Sequence, residues 1–573
     1  MIMVNLKING IPVQAEEGTT IIEAARQAHI DIPSLCYLKN INCIGSCRVC
    51  VVEVKGARGL VASCVYPVAE GLEVWTNTPQ VRQSRKTTLE LLLSEHHKKC
   101  LSCVRSNRCE LQKLCKDYGV DEDRFPSTDA LQPVDTTSPY IIRDNNKCIH
   151  CMRCVAACEH QNISVIGPRQ RGHNKTIGCA FDKPLDQCAC VGCGQCVVSC
   201  PVGALYEKNN VSDVWAAIGD PNKKVVFFTA PAIRATLGEE FDMPIGTNVE
   251  KKLPGAIRRL GADAAFDMDV TADLTILEEA AELVDRIKTG KPLPMFTSCC
   301  PGWVKFAEHY YPELLPNLSS CKSPQQMFGA LLKTYYCEKN GINPEDLYVV
   351  SVIPCTAKKF EVIREEMAGT VDVALTTREL GQMIQGAGIN FENLPDEEFD
   401  APFEVASGAG AIFGATGGVM EAALRTAANM LDGDFSATDF EEVRGIEGIR
   451  EATYNVAGVE IKVAVTSGLA NATKLCDMVK NGEAPYQFIE IMACPGGCIN
   501  GGGQPVQKDA TRNTVDIKSL RAKALYDLDA SMDLRKSHES PVIKMLYDEY
   551  FGEPNSEKAH HILHTTYTAR SKY

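Results

Sequence analysis

The sequence predicts a multidomain chain, α+β at its start and α/β over its larger second part, and three observations carry that prediction. At 573 residues it is long enough for roughly four domains, and 45% apolar content supplies several cores. Its first residues, MIMVNLKINGIPVQ, alternate apolar and polar side chains with period two, as a half-buried strand does. From about Asn210 onward, apolar strands such as KKVVFFTAP, DLYVVSVIPC and IKVAVTSG alternate with amphipathic helices, the pattern of a parallel sheet.

The first domain is expected over residues 1–78. VNLKING and IPVQA read as a hairpin, Thr19 to Ala28 as a helix and CRVCVVEV as a further strand, a small β-grasp arrangement. Cys36-x10-Cys47-x2-Cys50-x13-Cys64 offers four thiolates near the Gly45-Ser46 turn, whose backbone N–H groups suit bridging sulfides, so a 2Fe-2S cluster is expected. Cys43 in the same loop is the alternative to Cys47, less suited because it breaks the Cys47-x2-Cys50 pair.

Residues 79–126 open with a helical stretch, Val81 to His97, and continue as His96-x3-Cys100-x2-Cys103-x5-Cys109. Three thiolates and one imidazole in so compact a run suit a single 4Fe-4S cluster, with His97 as the adjacent candidate and Cys115 as a structural thiol. A linker rich in Pro, Ser, Thr and Asp, about Phe125 to Pro139, leads into the third domain, residues 127–209. There Cys148-x2-Cys151-x2-Cys154-x3-Cys158 is followed by Cys190-x2-Cys193-x2-Cys196-x3-Cys200-Pro201, the spacing of bacterial two-cluster ferredoxins. The fourth cysteine of each run crosses over, so the expected sets are Cys148, Cys151, Cys154 and Cys200, and Cys158, Cys190, Cys193 and Cys196. Cys179 and Cys188 are left over.

In residues 210–573 the apolar strands run straight into cysteine motifs, which places those thiols at strand ends, where open α/β folds hold ligands. Of the 27 cysteines, 19 lie between Cys36 and Cys200 and eight between Cys299 and Cys498, and their clustering favours metal thiolates over disulfides, hence a reducing compartment. The N-terminus lacks the layout of a signal peptide and no apolar run is long enough to cross a membrane, so the cytoplasm is the expected location. A net charge of −14 disfavours nucleic acid as a partner.

Three segments of the last region, FTSCCPGWV (296–304), IPCTAKKFE (353–361) and EIMACPGGCINGGGQP (490–505), closely resemble the three signatures of the iron-only (FeFe) hydrogenases. The cysteine-rich modules before them are similar to those of the longer bacterial members. The resemblance implies an H-cluster, a 4Fe-4S cubane held by Cys300, Cys355, Cys494 and Cys498, with Cys498 bridging to a diiron subcluster that carries CO, cyanide and a dithiolate amine. It places Pro231, Gln325, Phe413 and Met492 around the diiron unit and Lys358 as a donor to one cyanide. The tail from Arg535 to Tyr567 is similar to the segment that wraps the family's catalytic domain.

The resemblance also implies a proton relay through Cys299, Glu279, Ser319 and Glu282, with Glu279 and Glu282 at i, i+3 on a helix from about Asp273 to Lys288. Without it, Glu278, Glu279 and Glu282 read as a solvated helix face. The chain departs from well-known single-subunit members at Ile353, Ala232 and Cys321. Variants with SSCKSPQQM are closer to catalytic subunits of multimeric NAD(P)-linked, electron-bifurcating hydrogenases, which implies ferredoxin and flavin-containing subunits as partners, with no flavin or NAD site in this chain. The alternatives are a stand-alone ferredoxin-dependent hydrogenase, a hydrogenase-like iron–sulfur assembly scaffold and an electron-transfer subunit; intact TSCCPGW and Lys358 argue against the scaffold.

Overall fold

The computed structural model describes residues 2–126, 131–432, 438–456 and 459–572. Residues 127–130 of the expected linker, next to the expected 126/127 domain boundary, lie outside the described residues. The chain forms two compact units: Met1–Cys188, Gln195–Tyr206 and Val506–Val515 make the first, and Ala189–Gly194, Glu207–Pro505 and Asp516–Tyr573 the second. The segment 506–515 therefore groups with the N-terminal modules, which no single cut near residue 209 captures.

In the first unit the expected hairpin forms between Met3–Ile8 and Ile11–Glu16, with Ile8 opposite Ile11. Asn9 and Gly10 both take positive φ, 55° and 83°, as a two-residue turn matching the strand twist requires. Glu73–Trp75 lies parallel to the first strand and antiparallel to Val51–Val54, which completes a five-stranded mixed sheet. Ile21 and Ile22 of the Ile21–Gln27 helix share a core with Val4, Leu6, Ile8, Val52 and Val74, the β-grasp arrangement expected from the alternation.

The next helix, Pro79–Ser94, is started by Thr78, whose side chain accepts from the Val81 N–H, with Pro79 in the first turn. It stops earlier than the predicted His97, because the His97 N–H donates to the Asn146 carbonyl at 2.7 Å instead of to its own helix. His96 is thereby placed beyond the helix, in the turn leading to the cysteines.

The second unit is built on two sheets. One is wholly parallel, in the order Ala264–Asp267, Lys224–Thr229, Leu347–Ile353, Val373–Thr376. Its strands read as near-continuous apolar runs because both faces are covered. The other runs Met295–Phe296, Phe488–Met492, Val459–Ser467, Ile449–Val456, with only the last strand antiparallel.

The helix Asp269–Thr289 has Asp273, Glu278 and Glu279 buried along with its apolar side chains. It begins four residues before the predicted start, since Asp267 and Asp269 close on Arg234 at 2.7 and 2.9 Å and acidic groups suit a helix N-terminus. The C-terminal segment is tied to this unit by buried ion pairs. Arg425 donates to Asp529 at 2.9 Å and to Glu421 at 2.8 Å, and Arg535 reaches the same Asp529 at 2.6 Å. Replacing Arg425 by Ala removes one of the two guanidiniums that hold each carboxylate, since Arg444 still pairs with Glu421 at 2.6 Å and Arg535 with Asp529. The expected loss is about 1.5–3 kcal/mol of stability, seen as a lowered thermal midpoint; an unchanged midpoint would show that the knot does not hold the tail.

Candidate active site and cluster cavities

The C-terminal ends of the parallel strands open into one cavity of about 80 Å³. Lys224–Thr229 delivers Pro231 and Ala232, Leu347–Ile353 delivers Ile353 and Cys355, and Phe488–Met492 delivers Met492 and Cys494. Cys299 and Cys300 enter from the loop after Met295–Phe296, and Cys498, Gln325, Lys358 and Phe413 complete the wall. The cavity thus brings together the cysteines and wall residues expected from the sequence, with the departures Ile353 and Ala232, and adds Met268, Ala272 and Pro324, which the sequence reading did not name.

Cys300 lies close enough to Cys355, Cys494 and Cys498 to raise the thiol pKa of each of these three. Burial is the larger cause: it pushes Cys355 up to about 12 and moves Cys494 and Cys498 upward as well. Few protein donors oppose this; the Ala357 and Lys358 amides favour a Cys355 thiolate, and Cys300 Sγ accepts from the Ala493 amide at 3.4 Å. Four converging thiols, Cys355 and Cys494 buried and Cys300 and Cys498 half-buried, become stable thiolates only beside a cationic centre, so the donor set fits an iron–sulfur cluster. The backbone fits too. Gly497 has φ +96°, and a Cβ there would stand 2.8 Å from the Thr416 nitrogen and 2.9 Å from Met492 Sδ, while one on Gly501 would collide with the Pro354 carbonyl.

Lys358 Nζ donates to the Cys299 carbonyl at 3.1 Å and to Glu361 at 2.8 Å. Glu361 also accepts from Gln325 Nε2 at 2.9 Å and Ser323 Oγ at 2.8 Å. This buried carboxylate, the last residue of IPCTAKKFE, fixes both polar residues expected at the cavity and was itself missed. Its place at i+3 from Lys358 was the available signal.

Beside Cys299, the helix Asp269–Thr289 presents Glu279 and Glu282, and neither Glu278 nor Glu279 is the solvated residue that spacing alone suggests: both are buried. Burial, then the charge of Glu282, pushes Glu279 up to about 8. Ser319 Oγ approaches Glu279 and favours its charged form, but its hydrogen bond goes to Glu282 Oε2 at 3.0 Å, so neither oxygen of Glu279 is held by a well-formed hydrogen bond. The Cys299 thiol is raised well above its ordinary value by burial and then by Glu279, which marks the two as neighbours. Glu282 also accepts from the Ser320 amide and hydroxyl and pairs with Arg286 at 2.6 Å. The four expected relay residues therefore form one file from the cavity to a partly exposed carboxylate.

In the first unit, Cys36, Cys47, Cys50 and Cys64 are buried together with their thiols in mutual hydrogen-bonding contact, Cys50 and Cys64 at 3.4 Å. Cys43 is exposed and donates to the Cys64 carbonyl at 2.7 Å, outside that group. A second cavity is lined by His96, His97, Cys100, Cys103 and Cys109. The His96 ring bonds the Lys147 backbone, its Nδ1 is buried with no hydrogen-bond partner, and burial lowers its pKa to about 4, so the imidazole is neutral and has a lone pair to give.

Cys148, Cys151, Cys154 and Cys200 line a third cavity among Ile149, Ile166 and Ile177. Of the other expected set, Cys158 and Cys196 belong to the first unit and Cys190 and Cys193 to the second. Cys179 and Cys188 neighbour each other beside Arg143, Cys115 is half-buried near Cys109, and Cys337 and Cys476 are buried core residues.

Residues 223–502 match the family described as iron only hydrogenase large subunit, C-terminal domain, and residues 515–570 match iron hydrogenase small subunit. Before them, residues 2–79 match a 2Fe-2S iron-sulfur cluster binding domain, 85–124 the NADH-ubiquinone oxidoreductase-G iron-sulfur binding region and 147–205 a 4Fe-4S dicluster domain. The chain is 45% identical over 590 residues to the NADP-reducing hydrogenase subunit HndD of Solidesulfovibrio fructosivorans, with 100% of both chains covered. It is 44% identical to iron hydrogenase 1 of Clostridium pasteurianum, covering 99% of this chain and 100% of that one. A solved variant of the [FeFe]-hydrogenase HydA1 from Chlamydomonas reinhardtii superimposes with a TM-score of 0.57 at 42% identity, over 63% of this chain and 99% of that one.

Glu279 also makes stability depend on pH. Between the ordinary carboxyl value of 4.5 and about 8 the folded chain keeps a proton that the unfolded chain has lost, so stability falls as pH rises through that window. A Glu279→Gln variant lacks this loss. Its thermal stability relative to wild type should therefore grow by about 4 kcal/mol between pH 5 and pH 8.5; a difference independent of pH would mean that Glu279 is ionised throughout.

Proposed function

The chain belongs to the iron-only hydrogenases, and from that membership we propose that it is the catalytic subunit of a multimeric, NADP- and ferredoxin-linked hydrogenase of the electron-bifurcating kind, working in the cytoplasm. The reaction is 2H+ + 2e− ⇌ H2. The whole-length similarity to a subunit named as NADP-reducing supports the multimeric reading. The similar whole-length match to iron hydrogenase 1 keeps a stand-alone, ferredoxin-dependent enzyme as the second reading. Among the described residues no helix is long and apolar enough to cross a membrane.

In this reading the domains are 1–78, 79–126, 127–209 and 210–573. The four cavity cysteines Cys300, Cys355, Cys494 and Cys498 hold the H-cluster, which when bound supplies the iron site where H2 is made or split. Cys36, Cys47, Cys50 and Cys64 hold the 2Fe-2S cluster, and His96 with Cys100, Cys103 and Cys109 holds a 4Fe-4S cluster. The two crossed cysteine sets hold two more, and flavin-containing partner subunits feed electrons into these clusters.

Within the catalytic unit, Pro231, Phe413 and Met492 exclude water, and Glu361 keeps Lys358 and Gln325 aimed inward. Cys299 exchanges a proton with the cavity. Glu279, raised to about 8, holds that proton near neutral pH without binding it tightly, the condition for efficient acid–base transfer. Ser319 and Glu282 carry it outward. The observation that carries this reading is the file Cys299, Glu279, Ser319, Glu282, which runs from the cavity of the four thiols to a partly exposed carboxylate.

Cys299→Ala should lower H2 evolution about 100-fold or more while infrared bands of CO and cyanide in the matured protein stay as in wild type. Near-wild-type rates would refute the relay. Absence of those bands in matured, iron-replete wild-type protein would refute the enzyme and favour the scaffold. Co-purification of flavin-containing subunits tests the multimeric reading; a chain isolated alone and fully active with reduced ferredoxin supports the second.

A further inference from the structure

Outside the cavity, one cluster of side chains has ligand chemistry that the relay does not use. Glu282, Cys321 and His564 each present a ligand atom, and these atoms lie within 4.8 Å of one another. The backbone preorganises two of them. Cys321 and His564 face each other across an antiparallel bridge, held by Lys322 N–H to Leu563 carbonyl at 2.8 Å and Thr565 N–H to Ser320 carbonyl at 2.7 Å. Directly opposed residues on such a pair project to the same side. Glu282 reaches the pair from the helix Asp269–Thr289, its Oε2 3.9 Å from Cys321 Sγ.

The histidine is oriented as metal-binding histidines are. Its Nε2 is 3.0 Å from the buried carboxylate of Glu278, which leaves the Nδ1 edge toward Ser320 Oγ at 2.8 Å and Glu282 beyond it. A carboxylate behind the far ring nitrogen fixes tautomer and ring angle and raises the basicity of the near nitrogen. Glu278 is itself held by Tyr547 Oη at 2.5 Å and the Asn555 N–H at 2.8 Å. Two carboxylates, Glu278 and Glu282, stand at the place against one guanidinium, Arg286, with protonated Glu279 beside them, so the local field favours a dication.

We infer that Glu282, Cys321 and His564 form an inhibitory site for a thiophilic divalent cation, zinc above all. One thiol, one imidazole and one carboxylate suit zinc and exclude magnesium and calcium. Ligand atoms around tetrahedral zinc lie ~3.3–3.8 Å apart, so the present spacing closes with shifts of about 1 Å, and Ser320 Oγ or water fills the fourth position. On binding, the Cys321 S–H bond breaks, its proton goes to solvent, and Sγ, Nδ1 and Oε2 replace water on the ion with no change of oxidation state. The ion enters past Glu282, whose side chain is 12% exposed. Its blocking action rests on the proposed relay, because the ion takes the carboxylate on which that relay ends. Cys321 also differs from the well-known single-subunit members, so the site is particular to chains with SSCKSPQQM.

The experiment uses the matured holoenzyme, with zinc salt added anaerobically during H2 evolution and zinc-edge X-ray absorption on the loaded protein. Half-inhibition is expected at micromolar zinc, reversed by chelator and not reproduced by magnesium, with one sulfur at ~2.3 Å among nitrogen and oxygen ligands. Cys321→Ala should raise the half-inhibiting concentration about 10-fold or more and remove the sulfur, while the zinc-free rate stays within about twofold; Cys321→Ser provides a second variant if the first folds poorly. Equal inhibition of wild type and Cys321→Ala, or no sulfur neighbour in wild type, overturns the site. Zinc bound through sulfur without loss of turnover supports the site and refutes Glu282 as the end of the relay.

Discussion

Everything in the catalytic unit answers to one constraint: potential anions are gathered in a dry place. Four thiols and the carboxylates of Glu279 and Glu361 lie at or beside the ends of parallel strands, where water is scarce and charge is costly. Burial raises the Cys355, Cys494 and Cys498 thiols, so they become thiolates only when cationic iron faces them. Lys358 answers Glu361 directly. Glu279 has no such cation and keeps a proton instead, and that is the property the proposed relay would use.

The same helix divides its carboxylates between tasks by what faces each of them. Glu278 points to the tail, where Tyr547, Asn555 and His564 bond it and dock the C-terminal segment. Glu279, one residue on, is left without a well-formed hydrogen bond beside Cys299. Glu282 gathers Ser319, Ser320 and Arg286 near the surface. The tail therefore also positions the serines of the proposed relay, since Tyr567 Oη bonds the Ser319 carbonyl at 2.8 Å and His564 bonds Ser320.

Much of this was legible because cluster cysteines keep short spacings. The gathering of Cys148, Cys151, Cys154 and Cys200 around one cavity followed from the two-cluster ferredoxin pattern, and the hairpin of Met3–Ile8 with Ile11–Glu16 from the alternation of apolar and polar residues. Burial of Glu278 and Glu279 was not legible, because a polar helix face looks the same in sequence whether water or a folded tail covers it. Glu361 was hidden for a similar reason: only the fold brings Gln325 and Ser323 to it from 36 and 38 residues away. The end of the helix before His96 depends on Asn146, about 50 residues downstream, which no local propensity records.

The central claim is that a neutral, proton-carrying Glu279 links Cys299 to Glu282. Difference infrared spectroscopy of the matured enzyme at pH 7 between two redox states observes that proton directly. A protonated carboxyl band that shifts in D2O and vanishes in Glu279→Gln is the predicted result. A band that survives that substitution, or no protonated carboxyl band at all in wild type, would contradict it.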